Sequence, residues 1–174
     1  MKAFWLTCSL AVLACAVLWG LDFRVNLTAS MPRGVYRLIP GEPERGDRVS
    51  LCLAPGPFAE LALERGYLRS GSCPSGTRPL LKRVSGLPGD VVALGPEGLS
   101  INGLLQPASR AATQDHSSRD MPTPTLSSGV IPPGKALVLS DNNPGGFDSR
   151  YFGLVPLADL HRVRAILTFD RTGD

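Results

Sequence analysis

The serine of TASMPRGVYR (28–37) and the lysine of PLLKRVSGLPGD (79–90) are the residues whose types and settings suit acyl-transfer chemistry. Ser30 stands in a turn stiffened by Pro32 and Gly34, a few residues after a long apolar run. A hydroxyl there fits ordinary turn chemistry, and it also fits a nucleophile that needs a base. Lys82 follows Pro79, Leu80 and Leu81 and precedes Val84, the pattern of a buried strand. Lysine is almost never fully buried without a partner or a task. Burial disfavours the ammonium and pulls the pKa below its ordinary value of about 10.4. The amine that results takes a proton near neutral pH and can activate a serine hydroxyl. The competing reading is an edge-strand lysine that carries its head out to water. A third stretch, SDNNPGGFDSRYFGLVP (140–156), combines turn formers with charge and could converge on the other two.

The elements that must position these residues are short. With 19 Gly and 16 Pro in 174 residues, the chain favours strands joined by turns over long helices. GVYRLI (34–39), DRVSLCL (47–53), PLLKRVS (79–85), DVVALG (90–95), KALVLSD (135–141) and HRVRAILTF (161–169) read as strands. Asn102 and Gly103 between apolar residues signal a tight hairpin, and Pro88, Gly89 and Asp90 read as a turn. One stretch, PFAELALERGY (57–67), has helical spacing. The Pro/Ser/Thr-rich segment 107–128 reads as an exposed loop or flap. The expected fold is a mainly antiparallel β domain.

The uncharged run from Ala3 to Leu21 is long enough to cross a bilayer as a helix, for which about 20 residues are needed. It ends among Trp19, Leu21 and Phe23, which suits an uncleaved anchor better than a cleaved signal. VLAC, ending at Cys15, faintly resembles a lipoprotein cleavage box, but the apolar run continues past it. Lys2 before the run places the amino end inside and everything after Asp22 outside. The domains expected are an anchor over 1–22 and an extracytoplasmic domain over 23–174. A net charge of +3, carried by scattered Arg, gives no support to nucleic-acid binding and is compatible with a lipid surface. Cys8 and Cys15 lie in the apolar run, and Cys52 and Cys73 in the outer part, where an oxidising compartment would allow a disulfide. No metal set is legible, because the two histidines, His116 and His161, are far from the cysteines in sequence. Neither histidine has a motif-like setting for a Ser/His/Asp site. Asn26 opens NLT, a glycosylation sequon that matters in a eukaryotic secretory route alone.

Taken in order, SMPRGVY, KRVSGLPGD and FDSRYFG resemble the motifs of the type I signal peptidases, membrane-anchored serine proteases with a Ser/Lys dyad. They are most similar to the conjugative-transfer branch (TraF type), in which SMP-x-G-x-Y replaces the housekeeping SM-x-P. The resemblance implies a signal-peptidase-type antiparallel β fold without cofactor. It makes Ser30 the nucleophile and Lys82 the general base. The oxyanion hole it implies comprises the Ser30 backbone N–H and the Thr28 hydroxyl, the latter also readable as a turn-stabilising group. It implies that Met31, Arg83, Asp148 and Arg150 support the site structurally. Housekeeping members carry a lysine-orienting serine two residues before the position of Asp148, where this chain has Gly146. Ser140, Ser149 or a water could take its place. The implied activity is removal of leader peptides from exported precursors, pilin or other conjugative transfer proteins, at the outer side of a bacterial cytoplasmic membrane. A self-cleaving repressor-type protease shares the dyad but would need a DNA-binding amino-terminal domain in place of the anchor. A non-catalytic subunit of a secretion or pilus apparatus is the alternative outside enzymology.

Overall fold

Runs of Val, Leu and Ile closed off by Gly, Pro and Asp form strands because β-branched and large apolar side chains fit a pleated, half-buried surface. The computed structural model describes residues 23–141 and 143–169. The anchor predicted over 1–22 lies outside the described residues, and among those described no helix is long and apolar enough to cross a membrane. The strands are β1 (Phe23–Asn26), β2 (Gly34–Leu38), β3 (Arg48–Leu51), β4 (Leu80–Gly86), β5 (Val91–Gly95) and β6 (Gly98–Ile101). They continue with β7 (Leu104–Leu105), β8 (Gly129–Val130), β9 (Lys135–Leu139), β10 (Val155–Pro156) and β11 (His161–Thr168). Helix α1 is Pro57–Glu64 and the single turn α2 is Ser149–Phe152.

Seven strands make the main sheet in the order β1-β2-β11-β3-β4-β9-β10, and four make a smaller one, β7-β6-β5-β8. Every pairing among them is antiparallel. This matches the mainly β, antiparallel class expected of the sequence. Strand β4 is interior, paired to β3 through Val49 and Lys82 and to β9 through Arg83 and Leu139. The edge-strand reading of Lys82 therefore fails. No sheet edge is available for its head to reach along, and Lys82 is 3% exposed.

The predicted strands appear with ends trimmed by one or two residues, and Asn102 and Gly103 both adopt positive φ in the turn between β6 and β7. Helix α1 stops at Glu64 rather than Tyr67, because Gly66 takes a positive φ and breaks the repeat. The segment 107–128 is the mostly exposed loop expected, and it is tied down at several points. The Asp115 carboxylate accepts from the Tyr67 hydroxyl at 2.6 Å and from Arg119, while Leu126 and Ser109 are buried.

The larger core packs Val49, Leu51, Leu80, Val84, Ala136 and Val138 of the main sheet with Ala59 and Ala62 of α1 and with Phe147 and Tyr151. A disulfide joins Cys52, just after β3, to Cys73, closing the excursion that carries α1. A smaller cluster, Met31, Tyr36, Leu81 and Val163, joins the turn after β1 to strand β4. Ser30 precedes Met31 of that cluster, whereas Lys82, next to Leu81 on β4, turns to the other face of the sheet with Val49 and Val84.

Candidate active site

The turn from β1 to β2 is built around one side chain. Asn26, 6% exposed, donates through Nδ2 to the carbonyls of Thr28, Met31 and Pro32 at 3.0, 2.9 and 3.2 Å. Its Oδ1 accepts from the Thr28 N–H at 3.1 Å and from Thr28 Oγ1 at 2.8 Å. The Tyr36 hydroxyl donates to the Pro32 carbonyl at 2.6 Å. Gly34 follows because the chain passes so close to β11 that a Cβ there would overlap the Leu167 carbonyl oxygen. An Asn amide this enclosed serves the turn and not a glycan, which overturns the sequon reading. Thr28 Oγ1 and Ser30 Oγ are 2.9 Å apart. Since the Thr28 proton goes to Asn26, Ser30 is the donor of that pair.

Lys82 is placed by register. Val84 faces Val138 and Arg83 faces Leu139, so one further step sets Lys82 beside Ser140, just past the end of β9. Lys82 Nζ donates to Ser140 Oγ at 2.9 Å. Burial disfavours the ammonium and pulls the Lys82 pKa down to about 8. The Asp148 carboxylate opposes that shift and Arg150 adds to it.

The third stretch braces both residues. Asp148, fully buried, caps α2 and accepts from the Ser140 N–H at 2.9 Å. Arg150 pairs with Asp148 at 2.8 Å and donates to the carbonyls of Ala108, Arg110, Asn143, Pro144 and Gly146. A buried ion pair persists where hydrogen bonds occupy its remaining donors, and here they do. Asp141, next to Ser140, donates its N–H to the Ser30 carbonyl at 2.7 Å and pairs its carboxylate with Arg83 at 2.6 Å. The dipeptide Ser140–Asp141 thus touches the Ser30 turn with one residue and the Lys82 amine with the other.

Ser30, Thr28, Met31, Lys82, Arg83, Asp148 and Arg150 are all gathered in this region. Ser149 is not at the amine, because its Oγ accepts from the Val138 N–H at 3.0 Å. Among the described residues Ser30 Oγ bonds Thr28 and Lys82 Nζ bonds Ser140, so hydroxyl and amine are not bonded to each other in this state. Both histidines are exposed; His116 lies against Gly145, and His161 sits at the start of β11. Among the described residues no group of His, Cys, Asp and Glu could hold a metal ion. Sequence reading missed Asn26 and Asp141. The first was masked by its sequon, and the second was signalled only by adjacency to Ser140.

Comparison with known proteins supplies the family. The chain belongs to the signal peptidase family, peptidase S26, which matches residues 1–168. It is 38% identical to the conjugal transfer protein TraF of Agrobacterium fabrum over 164 residues, covering 91% of each chain. It is 32% identical to the plasmid transfer protein TraF of Escherichia coli, covering 91% of this chain and 90% of that one. A crystal structure of a signal peptidase I from Enterococcus faecalis aligns at 27% identity with a TM-score of 0.39, covering 74% of this chain and 98% of the other.

Proposed function

We propose that the protein is a membrane-anchored serine endopeptidase that removes leader peptides from exported precursors, pilin or other conjugative transfer proteins, with Ser30 as nucleophile and Lys82 as base. Family membership and the TraF relatives support the reaction class and the setting. The observation that carries the assignment is Lys82 itself. It is a lysine on an interior strand, its ammonium disfavoured by burial, hydrogen-bonded to the residue before Asp141, which in turn holds Ser30.

The reaction begins when Ser30 Oγ exchanges Thr28 for the neutral Lys82 amine. The amine takes the hydroxyl proton as Oγ attacks the scissile carbonyl. The Ser30 N–H faces the developing oxyanion, and Thr28 adds a second donor by turning its hydroxyl away from Asn26. The Lys82 ammonium then protonates the leaving amine, and the leader remains esterified to Ser30. Water, deprotonated by the same lysine, hydrolyses that ester and restores the serine. No cofactor takes part.

The outer placement of residues 23–174 is part of the proposal. Val25, Leu27, Leu167 and Phe169 are all more than half exposed and flank β2 beside the Ser30 turn, a surface suited to rest on lipid next to the anchor. A substrate whose own apolar segment ends at the bilayer would present its cleavage site at that height. The test is co-expression with candidate pilin precursors. Product mass should shift by the leader with the parent chain and remain at the precursor value with Ser30→Ala. Equal processing by both would remove Ser30 from the reaction.

A further inference from the structure

Gly146 is the anomalous residue of the third stretch. Its φ lies outside the left-handed region, unlike that of Gly153, so its backbone conformation does not require glycine. What requires it is space. A Cβ at 146 would overlap Oγ and Cβ of Ser140 and would come within 3.1 Å of the Asn143 carbonyl. The Ser140 side chain therefore fills the volume that any side chain at 146 would need. Both backbones are fixed relative to the same ion pair: the Ser140 N–H donates to Asp148 at 2.9 Å, and the Gly146 carbonyl accepts from Arg150 at 2.9 Å. Neither position can move aside without losing its hydrogen bond to that buried pair.

We infer that positions 140 and 146 share a single hydroxyl site that orients the Lys82 amine, supplied here from 140 and open to supply from 146 when 140 carries no side chain. The inference rests on the Ser30/Lys82 reading. A hydrogen bond donated to Ser140 holds one N–H of the amine and so narrows the directions in which its lone pair can point. Ser140 acts through Lys82 and is a positioning residue. The reverse arrangement, Gly at 140 and Ser at 146, would put a Cβ 2.0 Å from the place of Ser140 Oγ, and the inference is that its hydroxyl then serves the same amine. Serine at both positions is sterically excluded.

The experiment uses the detergent-solubilised full chain and an internally quenched peptide with alanine before the scissile bond. Ser140→Gly, which adds no atoms, should lower kcat by about 10- to 100-fold, the worth of one hydrogen bond to an ionisable group, with KM unchanged. Ser140→Gly/Gly146→Ser should regain most of that loss, whereas Ser140→Gly/Gly146→Ala, equally well packed, should not. One hydroxyl separates the two double variants, so a purely structural role would leave them alike. Parental kcat in Ser140→Gly, or equal kcat in the two doubles, would overturn the inference. Ser30→Ala runs alongside: if it cleaves, the dyad reading itself is wrong, and if it is inactive while the doubles are alike, the shared site alone is wrong.

Discussion

The ionisation of Lys82 yields a quantitative prediction. A base must be neutral to accept a proton, and burial brings this lysine from 10.5 to about 8. At pH 7 a group with that lower value is neutral in about one molecule in eleven, against about one in three thousand at the ordinary value. Burial on an interior strand thus enlarges the competent fraction about 300-fold. Raising the pH is the perturbation, and kcat/KM of the solubilised enzyme on a leader-junction peptide is the assay, since this ratio reports the free enzyme's groups. It should climb about tenfold per unit below pH 7, bend near pH 8, and level off above. The same shift bears on stability. The unfolded lysine keeps its proton up to about 10.5 and the folded one loses it near 8, so the unfolded state binds more protons in that window and stability rises with pH across it, by about 3 kcal/mol in all. A profile flat from pH 6 to 9, or one bending near the histidine range and abolished by His116→Ala, would refute the reasoning.

Reduction of the Cys52–Cys73 bond reopens a loop spanning 21 residues of sequence separation and should lower stability by about 3 kcal/mol in denaturant melts. Loss of no stability would show that the loop is held by packing alone. Arg150→Lys should destabilise by about 3–5 kcal/mol despite keeping the charge, because an ammonium cannot serve both Asp148 and the surrounding carbonyls; an unchanged melting temperature would contradict this. Thr28→Val should reduce kcat by about 10²–10³ without unfolding the chain. Parental kcat in that variant would leave Thr28 a turn residue alone.

How much of this was legible in the sequence depended on length and period. Strands whose apolar runs are bounded by strong turn formers, β4 and β11 among them, are legible to within a residue or two, whereas β1, four residues directly after the apolar run, is not. The two-residue strands β8 and β10 carry no pattern to read, and they exist because β5 and β9 offer them open edges. Lys82 could be flagged as out of place, but its interior position depends on the pairing of β4 with β9, which no local pattern encodes. The stretch 107–128 is legible as an exposed loop, but not its anchors, because Tyr67 and Arg150 lie far away in sequence. Asn26 was misread for a related reason: its partners are carbonyl groups, and these leave no trace in residue identity. Gly146 read as a missing serine, and only the three-dimensional overlap with Ser140 explains the glycine.

The central claim is that a lysine amine, and no histidine, is the base. Its most direct test is turnover of Lys82→Arg beside His116→Ala and His161→Ala, each checked for folding and for an intact Cys52–Cys73 bond. Arginine retains the positive charge but stays protonated throughout the accessible pH range and cannot accept the Ser30 proton. The account predicts no detectable cleavage by Lys82→Arg at any pH and near-parental cleavage by both histidine variants. Near-parental turnover by Lys82→Arg, or a histidine variant as inactive as Ser30→Ala, would contradict it.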